Sequence, residues 1–467
     1  MPLLGLAPPQ RSVVGYLFAV HTRSVATGVA EDNSQRAGRL RPPANPPALN
    51  FPFALPTELK GTYTVRGRHL QSRHRAHRPQ FDEQVRCNAS LMAAAGRFSS
   101  ALLLLLLLNM AAAFFTTRGA LLLTPDSMDD GDDDVDFFFF PFLVLYKSGR
   151  VRRFMGTDTV PSSTDPSTGV ASRDVAIDAA TGLAVRLYLP SLGDANRTDG
   201  AAANCERLPL VVFYHGGAFV IESAFSPTYQ RYLNALVSRA RVLAVSVDYR
   251  LAPEHRLPSA YDDAWAALRW ALANARPSGA DPWLSKHADV ARLFLAGDSA
   301  GGNIAHNMAM RAGRDGLDDG AVIRGVAMLD PYFWGKRPVP SETEDVDARR
   351  LRERNWSFVC AGRYGIDDPV INPVAMPPEE WRRGLAGERV LVTVAGMDML
   401  AARGRAYVHA LRASGWRGEA ELYETPGEYH VYFLDKPDSE KAVKEMEVVV
   451  NFIHGGRLSS KDSRMDA

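Results

Sequence analysis

Gly297-Asp298-Ser299-Ala300-Gly301 follows an apolar run, Arg292-Leu293-Phe294-Leu295-Ala296, and leads into Gly302-Asn303-Ile304-Ala305-His306-Asn307-Met308-Ala309. A serine with glycine two residues away on either side, at a strand-to-helix turn, has the pattern of a nucleophile on a sharp elbow. The glycines are required because the turn is strained and leaves no room for bulk beside it. The helix that follows aims its first amides and its positive dipole end at the same point. A serine hydroxyl is a weak nucleophile at neutral pH, so it needs a base, an orienter for that base, and donors for a developing oxyanion. Leu391-Val392-Thr393-Val394-Ala395-Gly396-Met397-Asp398 puts Asp398 just past a strand. Glu421 to Tyr429 similarly delivers His430 into the loop after another strand. Of the 11 histidines, His430 alone has this order and context.

His215-Gly216-Gly217-Ala218-Phe219 follows a further strand that ends at Tyr214. Consecutive glycines allow backbone amides to turn inward and approach a substrate carbonyl closely. Together with the amide of Ala300 they would make an oxyanion hole, each donor contributing about 3 kcal/mol to transition-state stabilisation. His215 is assigned to holding this loop, not to proton transfer.

These residues need a scaffold that brings strand ends together. Val170–Ile177 and Leu183–Leu189 read as two strands around the turn at Thr181-Gly182. Leu208–Tyr214, Val242–Val247, Leu293–Ala296, Ile323–Leu329 and Val390–Val394 are apolar runs suited to strands buried on both faces. Helical patterns alternate with them at Tyr229–Ala240, Ser259–Asn274, Asn303–Ala312, Ala401–Ser414 and Ser439–Ile453. Such alternation predicts an α/β class fold, a doubly wound and mostly parallel sheet with right-handed crossovers. Ligands of these sheets bind beyond the carboxyl ends of the strands, where Ser299 falls. The chain order Ser299, Asp398, His430 is that of α/β-hydrolase triads and differs from the orders of the unrelated serine proteases.

The 467 residues are 46% hydrophobic and 23% charged with a net charge of +1, which fits a globular enzyme and argues against a nucleic-acid partner. Residues 1–91 depart from that balance, with 11 Arg and 1 Lys against 5 Asp/Glu. They are proline-rich and aperiodic, as disordered chain is. Ala101 to Phe115 is apolar but short of the roughly 20 residues of a membrane span, so no stable span is expected. Translation from Met92 would make it resemble a signal sequence, and translation from Met128 would omit it. The expected division is therefore an extension over 1–127, disordered or lying upstream of the true start, and a catalytic domain over 128–460. The compartment follows from the start: cytoplasmic from Met128, secreted or organellar if the apolar segment is used. The acidic stretch from Asp126 to Asp136 reads as a solvated lead-in. Cys87, Cys205 and Cys360 form neither a disulfide framework nor a zinc motif. Glycosylation tripeptides occur at Asn88, Asn196 and Asn355, and would matter only in a secreted chain.

The chain resembles plant carboxylesterases of the hormone-sensitive-lipase-like group within the α/β-hydrolase fold. The resemblance is carried by His215-Gly216-Gly217-Ala218-Phe219, Asp248-Tyr249-Arg250-Leu251-Ala252-Pro253-Glu254-His255, Gly297 to Asn303, and Tyr146 to Phe154, and it spans about Phe137 to Gly455. It implies a triad of Ser299, Asp398 and His430, and an oxyanion hole of the amides of Gly217, Ala218 and Ala300. It implies a small-molecule ester substrate and no metal or organic cofactor. Where Ala218 stands the family often has glycine; the amide donor survives, while the methyl narrows the acyl pocket. Asp248, Arg250 and Glu254 are expected to form a polar network that braces the loop. Phe137-Phe138-Phe139-Phe140-Pro141-Phe142 is expected to leave water, as part of a lid over the acyl site. Phe333, Trp334, Trp356 and Phe358 are assigned to a helical cap inserted near Leu329. Such a lid favours small uncharged or hydrophobic esters. Lyases and intramolecular acyl-transfer enzymes on this scaffold keep much of the same site and are the alternative. Gibberellin receptors share the fold but lack the triad histidine, which is present here as His430.

Overall fold

The structure, a computed structural model, describes residues 134–192, 207–317 and 320–458. These residues belong to one compact unit of the chain. The expected extension over 1–127 lies outside the described residues, as do Cys87, Cys205 and the tripeptides at Asn88 and Asn196.

The strands are β1 (Val135–Phe139), β2 (Leu143–Tyr146), β3 (Val151–Arg153), β4 (Ala171–Asp178), β5 (Leu183–Leu189), β6 (Leu208–Tyr214), β7 (Leu243–Asp248), β8 (Ala288–Asp298), β9 (Ile323–Leu329), β10 (Arg389–Ala395) and β11 (Glu419–Thr425). The helices are α1 (Pro227–Ala240), α2 (Ser259–Asn274), α3 (Pro282–His287), α4 (Ala300–Asp315), α5 (Val346–Cys360), α6 (Pro378–Gly384), α7 (Ala401–Ala413), α8 (Tyr432–Asp435) and α9 (Glu440–Ile453). β4 to β11 form an eight-stranded sheet in the order β11-β10-β9-β8-β6-β7-β5-β4. All pairs from β7 through β11 are parallel, and β5 runs antiparallel to both β4 and β7. Every residue of β6 is buried, which explains its unbroken apolar run: helices cover both faces of the sheet. Burying each such Leu, Val or Phe contributes about 1.5–3 kcal/mol.

A second, three-stranded antiparallel sheet, β1-β2-β3, precedes the large one. The phenylalanine run falls on it and corrects one expectation: only part of the run leaves water. Phe139 is 3% exposed, but Phe138 is 41% and Phe140 42% exposed, because side chains alternate between the faces of a strand. Phe138 meets Phe140 and Phe154 edge-on, at 5.7 and 6.2 Å between centroids. Phe137 stacks on Phe358 of α5 at 4.0 Å, and Phe139 meets the same ring edge-on at 5.8 Å. The small sheet and α5 thus form one layer. Arg153 of β3 ties that layer to the body, bonding both carboxylate oxygens of Glu254 (2.7 and 2.6 Å) and the carbonyls of Val220 and Ala252.

The expected helical cap is present as α5, which carries Trp356 and Phe358. Phe333 and Trp334 are not on a helix but in irregular chain after β9: Phe333 stacks on Tyr407 of α7 at 5.2 Å, on the body of the molecule, whereas Trp334 packs under Arg349 and Arg352 of α5. The polar motif after β7 is also divided differently from expectation. Asp248 accepts from the Ser223 hydroxyl and the Ala224 amide, Arg250 makes a two-pronged pair with Asp263, and Glu254 takes Arg153. These are three separate braces, each to a different neighbour.

Candidate active site

The site lies where β6, β8, β10 and β11 end. β8 stops at Asp298 and α4 starts at Ala300, leaving Ser299 alone between them with φ 50° and ψ −116°. The turn is pinned from outside: the Ser299 amide donates to the Leu329 carbonyl, and the Tyr332 amide donates to the Ser299 carbonyl, each at 2.8 Å. Gly301 is required because a methyl there would overlap the backbone carbonyl of Tyr214. At Gly217, φ is +95° and a methyl would strike the carbonyl of Ile221.

The structure brings the three predicted side chains together. His430 Nε2 lies 2.8 Å from Ser299 Oγ, and its Nδ1 lies 2.7 Å from Asp398 Oδ2. The arrangement calls for Nδ1–H donating to the carboxylate and Nε2 accepting from the serine hydroxyl. Asp398 is fixed in turn by the Leu400 amide, which donates to Oδ1 at 2.9 Å. All three side chains are buried. Burial alone depresses an imidazole pKa, but the adjacent Asp398 carboxylate, with Asp330 and Asp298 further off, overcomes this and lifts His430 to about 9.

Gly217, Ala218 and Ser299 line one cavity with His430. Ala218 and Phe219 have positive φ, 53° and 64°, so the loop curls tightly. The Gly216 amide is engaged elsewhere, donating to the Tyr229 hydroxyl at 2.7 Å. His215 does not line the cavity. It is buried, stacked on Tyr249 at 4.2 Å, and its pKa is pulled down to about 4 by desolvation, which keeps it neutral. The Tyr249 hydroxyl donates to the carbonyls of His215 and Gly216.

Other members of the site gave little or no signal in the sequence. Tyr229 of α1 donates to Asp298 Oδ2 at 2.9 Å while receiving the Gly216 amide, so it links the glycine loop to the elbow. Burial raises Asp298 to about 7 against that hydrogen bond. Asp330, at φ 46° just past β9, accepts from the Ala395 amide through Oδ1 and from the Val431 amide through Oδ2, both at 2.7 Å. It therefore joins the strand that delivers Asp398 to the loop that delivers His430. The Asp330-Pro331 step directly after an apolar run was its one available sign. Asp330, Asp398 and His430 present three ligand-type atoms close together. Each already has the hydrogen-bond partners named above.

The cavity has a volume of about 90 Å³. At about 10–15 Å³ for each water-sized sphere, it holds a group of about six to nine heavy atoms beside the serine. Phe139 and Phe142 of the small sheet form one part of its wall, and Arg352 and Asn355 of α5 another. Asn355 is 4% exposed, so the tripeptide at Asn355-Trp356-Ser357 is not an accessible glycan acceptor in the folded chain.

An eight-stranded, mostly parallel sheet with a serine elbow, strand-end Asp and His, and a lid defines an α/β hydrolase. In agreement, the family model of the alpha/beta hydrolase fold matches residues 211–434. The chain is 44% identical over 315 residues to tuliposide A-converting enzyme 1, chloroplastic, of Tulipa gesneriana, a match covering 68% of this chain and 77% of that protein. It is 44% identical over 324 residues to probable carboxylesterase 13 of Arabidopsis thaliana, covering 68% and 97%. It is 43% identical over 319 residues to 2-hydroxyisoflavanone dehydratase of Glycyrrhiza echinata, covering 67% and 94%. The chain belongs to the plant carboxylesterases of the α/β-hydrolase fold.

Proposed function

We propose that the protein is a serine carboxylester hydrolase acting on small, uncharged or hydrophobic esters. The observation that carries this reading is His430 held between Ser299 and Asp398 at 2.8 and 2.7 Å, at the wall of a 90 Å³ cavity. Ser299 Oγ attacks the ester carbonyl carbon as His430 Nε2 takes its proton. Asp398 keeps the imidazole in the tautomer this needs and stabilises the imidazolium. The amides of Gly217, Ala218 and Ala300 receive the oxyanion. His430 then protonates the departing alkoxide, leaving an acyl-serine. Water, deprotonated by the same imidazole, attacks that acyl group and releases the acid.

The test is hydrolysis of p-nitrophenyl acetate. The wild type should turn it over, and Ser299→Ala or His430→Ala should lower kcat by about 10⁴-fold or more, as loss of either unit of a triad does. Full activity in a folded Ser299→Ala variant would end the reading. A second reading, lyase or acyl-transfer chemistry in the same site, is favoured by the names of two relatives: one is called a dehydratase and one a tuliposide-converting enzyme. Elimination product or lactone from a hydroxylated substrate, without net hydrolysis, decides for it. As to compartment, no helix among the described residues is long and apolar enough to cross a membrane. We place the protein in the cytoplasm when translation starts near Met128 and in an organelle or the secretory route when the apolar segment is included. N-terminal sequencing of the native protein separates these.

A further inference from the structure

The amides proposed for the oxyanion hole come from two segments: Gly217 and Ala218 from the loop after β6, Ala300 from the first turn of α4. The hole works only if both segments aim their N–H groups at one point. Packing brings the segments close, since a methyl on Gly301 would overlap the carbonyls of Tyr214 and His215. Packing fixes distance but leaves peptide planes free to turn, so their orientation has to come from hydrogen bonds. Tyr229 of α1 reaches both segments. Its hydroxyl accepts from the Gly216 amide at 2.7 Å and donates to Asp298 Oδ2 at 2.9 Å. Gly216 directly precedes the first donor of the hole, and Asp298 directly precedes the nucleophile. Burial, with the Asp298 carboxylate, holds the Tyr229 phenol well above its ordinary pKa, so it keeps the proton it donates.

The Gly216 carbonyl belongs to the same peptide unit as the Gly217 amide. It accepts from the Tyr249 hydroxyl at 3.1 Å and lies 2.9 Å from His215 Nδ1. In a trans peptide the carbonyl and the amide point opposite ways, so holding one aims the other. That carbonyl has two partners, whereas the amide of Gly216 and the Oδ2 of Asp298 meet only through Tyr229. We propose that Tyr229 is a positioning residue for catalysis: its hydroxyl holds the glycine loop in register with the Ser299 elbow, so that amides of both segments converge on the oxyanion. This rests on the esterase reading and adds a residue to its machinery. The register matters most when charge develops on the carbonyl oxygen, so its loss falls on the transition state and spares substrate binding.

Tyr229→Phe deletes the hydroxyl and keeps the ring, which packs against Phe213 and His215. On p-nitrophenyl acetate kcat should fall by about 10- to 100-fold while KM changes by less than about threefold. A trifluoromethyl alkyl ketone gives the readout that a merely structural residue would not move. Ser299 Oγ adds to its carbonyl carbon, the serine proton passes to His430, and the carbonyl electron pair becomes an oxyanion in the hole. Its inhibition constant should rise by the factor by which kcat/KM falls. Asp298→Ala removes the link from its other end and should lower kcat similarly, whereas Asp298→Asn keeps an acceptor for the Tyr229 hydroxyl and should restore most of it. Wild-type kcat in folded Tyr229→Phe, a loss confined to KM, or unchanged ketone affinity beside a lowered kcat overturns the proposal. Should Tyr229→Phe not fold, the Asp298 pair decides: equal losses in Ala and Asn overturn the proposal, and a loss that Asn restores supports it. Failure of the esterase reading looks different: the folded wild type would neither hydrolyse the ester nor bind the ketone.

Discussion

At the scale of single residues, the proposed role of His430 as the base makes its charge set the working pH. The base must be neutral to take the serine proton, and in the resting site Asp398 and its neighbours hold the imidazole pKa at about 9 despite burial. The ascending limb of kcat/KM should therefore lie in the mildly alkaline range, as a pH–rate profile on p-nitrophenyl acetate would show. Asp398→Asn removes the nearest charge, so the limb should move to lower pH while kcat drops by about 10⁴-fold through loss of the correct tautomer. An unshifted limb would mean that another group titrates. Ala218 offers a test in the opposite direction. It sits at φ 53°, where a side chain costs about 1 kcal/mol relative to glycine. Ala218→Gly should raise Tm by a few degrees and admit bulkier acyl groups, both measurable on the purified variant.

Among elements, α5 and the small sheet matter most, and they were the least legible in the sequence. The strands from β6 to β10 stood out because burial on both faces leaves an uninterrupted apolar run, and the expected bounds fall within a few residues of those observed, save for β8, which starts at Ala288. The four consecutive phenylalanines hid β1, since an all-apolar run conceals the alternation that only exposure reveals. The cap that became α5 was expected from Trp356 and Phe358, but its extent was hidden for the opposite reason: Val346 to Cys360 carries charges on much of its surface and buries mainly its C-terminal half. In the site, Ser299, Asp398 and His430 were readable because each is announced by its own strand. Tyr229 and Asp330 were not, because each acts by bonding backbone amides or a carboxylate of other loops, a role that no motif of its own announces. The contact of β1 with α5 predicts that Phe358→Ala, at a ring 7% exposed, will cost about 3–5 kcal/mol and raise KM as the lid loosens. Denaturant melts and steady-state kinetics check the two halves of that statement.

For the molecule as a whole, Asp298 and His430 make stability fall as pH rises, while the buried His215 and His306, whose pKa values desolvation depresses to about 4 and about 3, oppose them below about pH 6.5. Asp298 is held at about 7 in the folded chain, above its value when unfolded, because burial disfavours its charge. Its contribution is therefore full below about pH 4 and is lost as pH climbs to 7. His430, raised to about 9, contributes fully below about pH 6.5 and loses that contribution between 6.5 and 9. Both slopes have the same sign, and above about pH 6.5 the buried neutral histidines no longer oppose them, so Tm should decline from neutral to alkaline pH, toward the region where catalysis improves. Asp298→Asn cannot ionise, so between pH 5 and 7 its Tm should fall less, or rise more, than that of the wild type. A thermal-shift series at pH 5, 7 and 9 tests it, and an unchanged slope in the variant would assign the decline to other groups.

The Asp330 carboxylate, accepting one amide from the end of β10 and one from the residue after His430, has a mechanical consequence. The segments carrying Asp398 and His430 are stapled at a single point, so thermal drift displaces them in concert. The spacing between imidazole and carboxylate is thereby shielded from breathing of the lid. A fault at this staple would loosen the proton relay while leaving every participant in the chemistry intact.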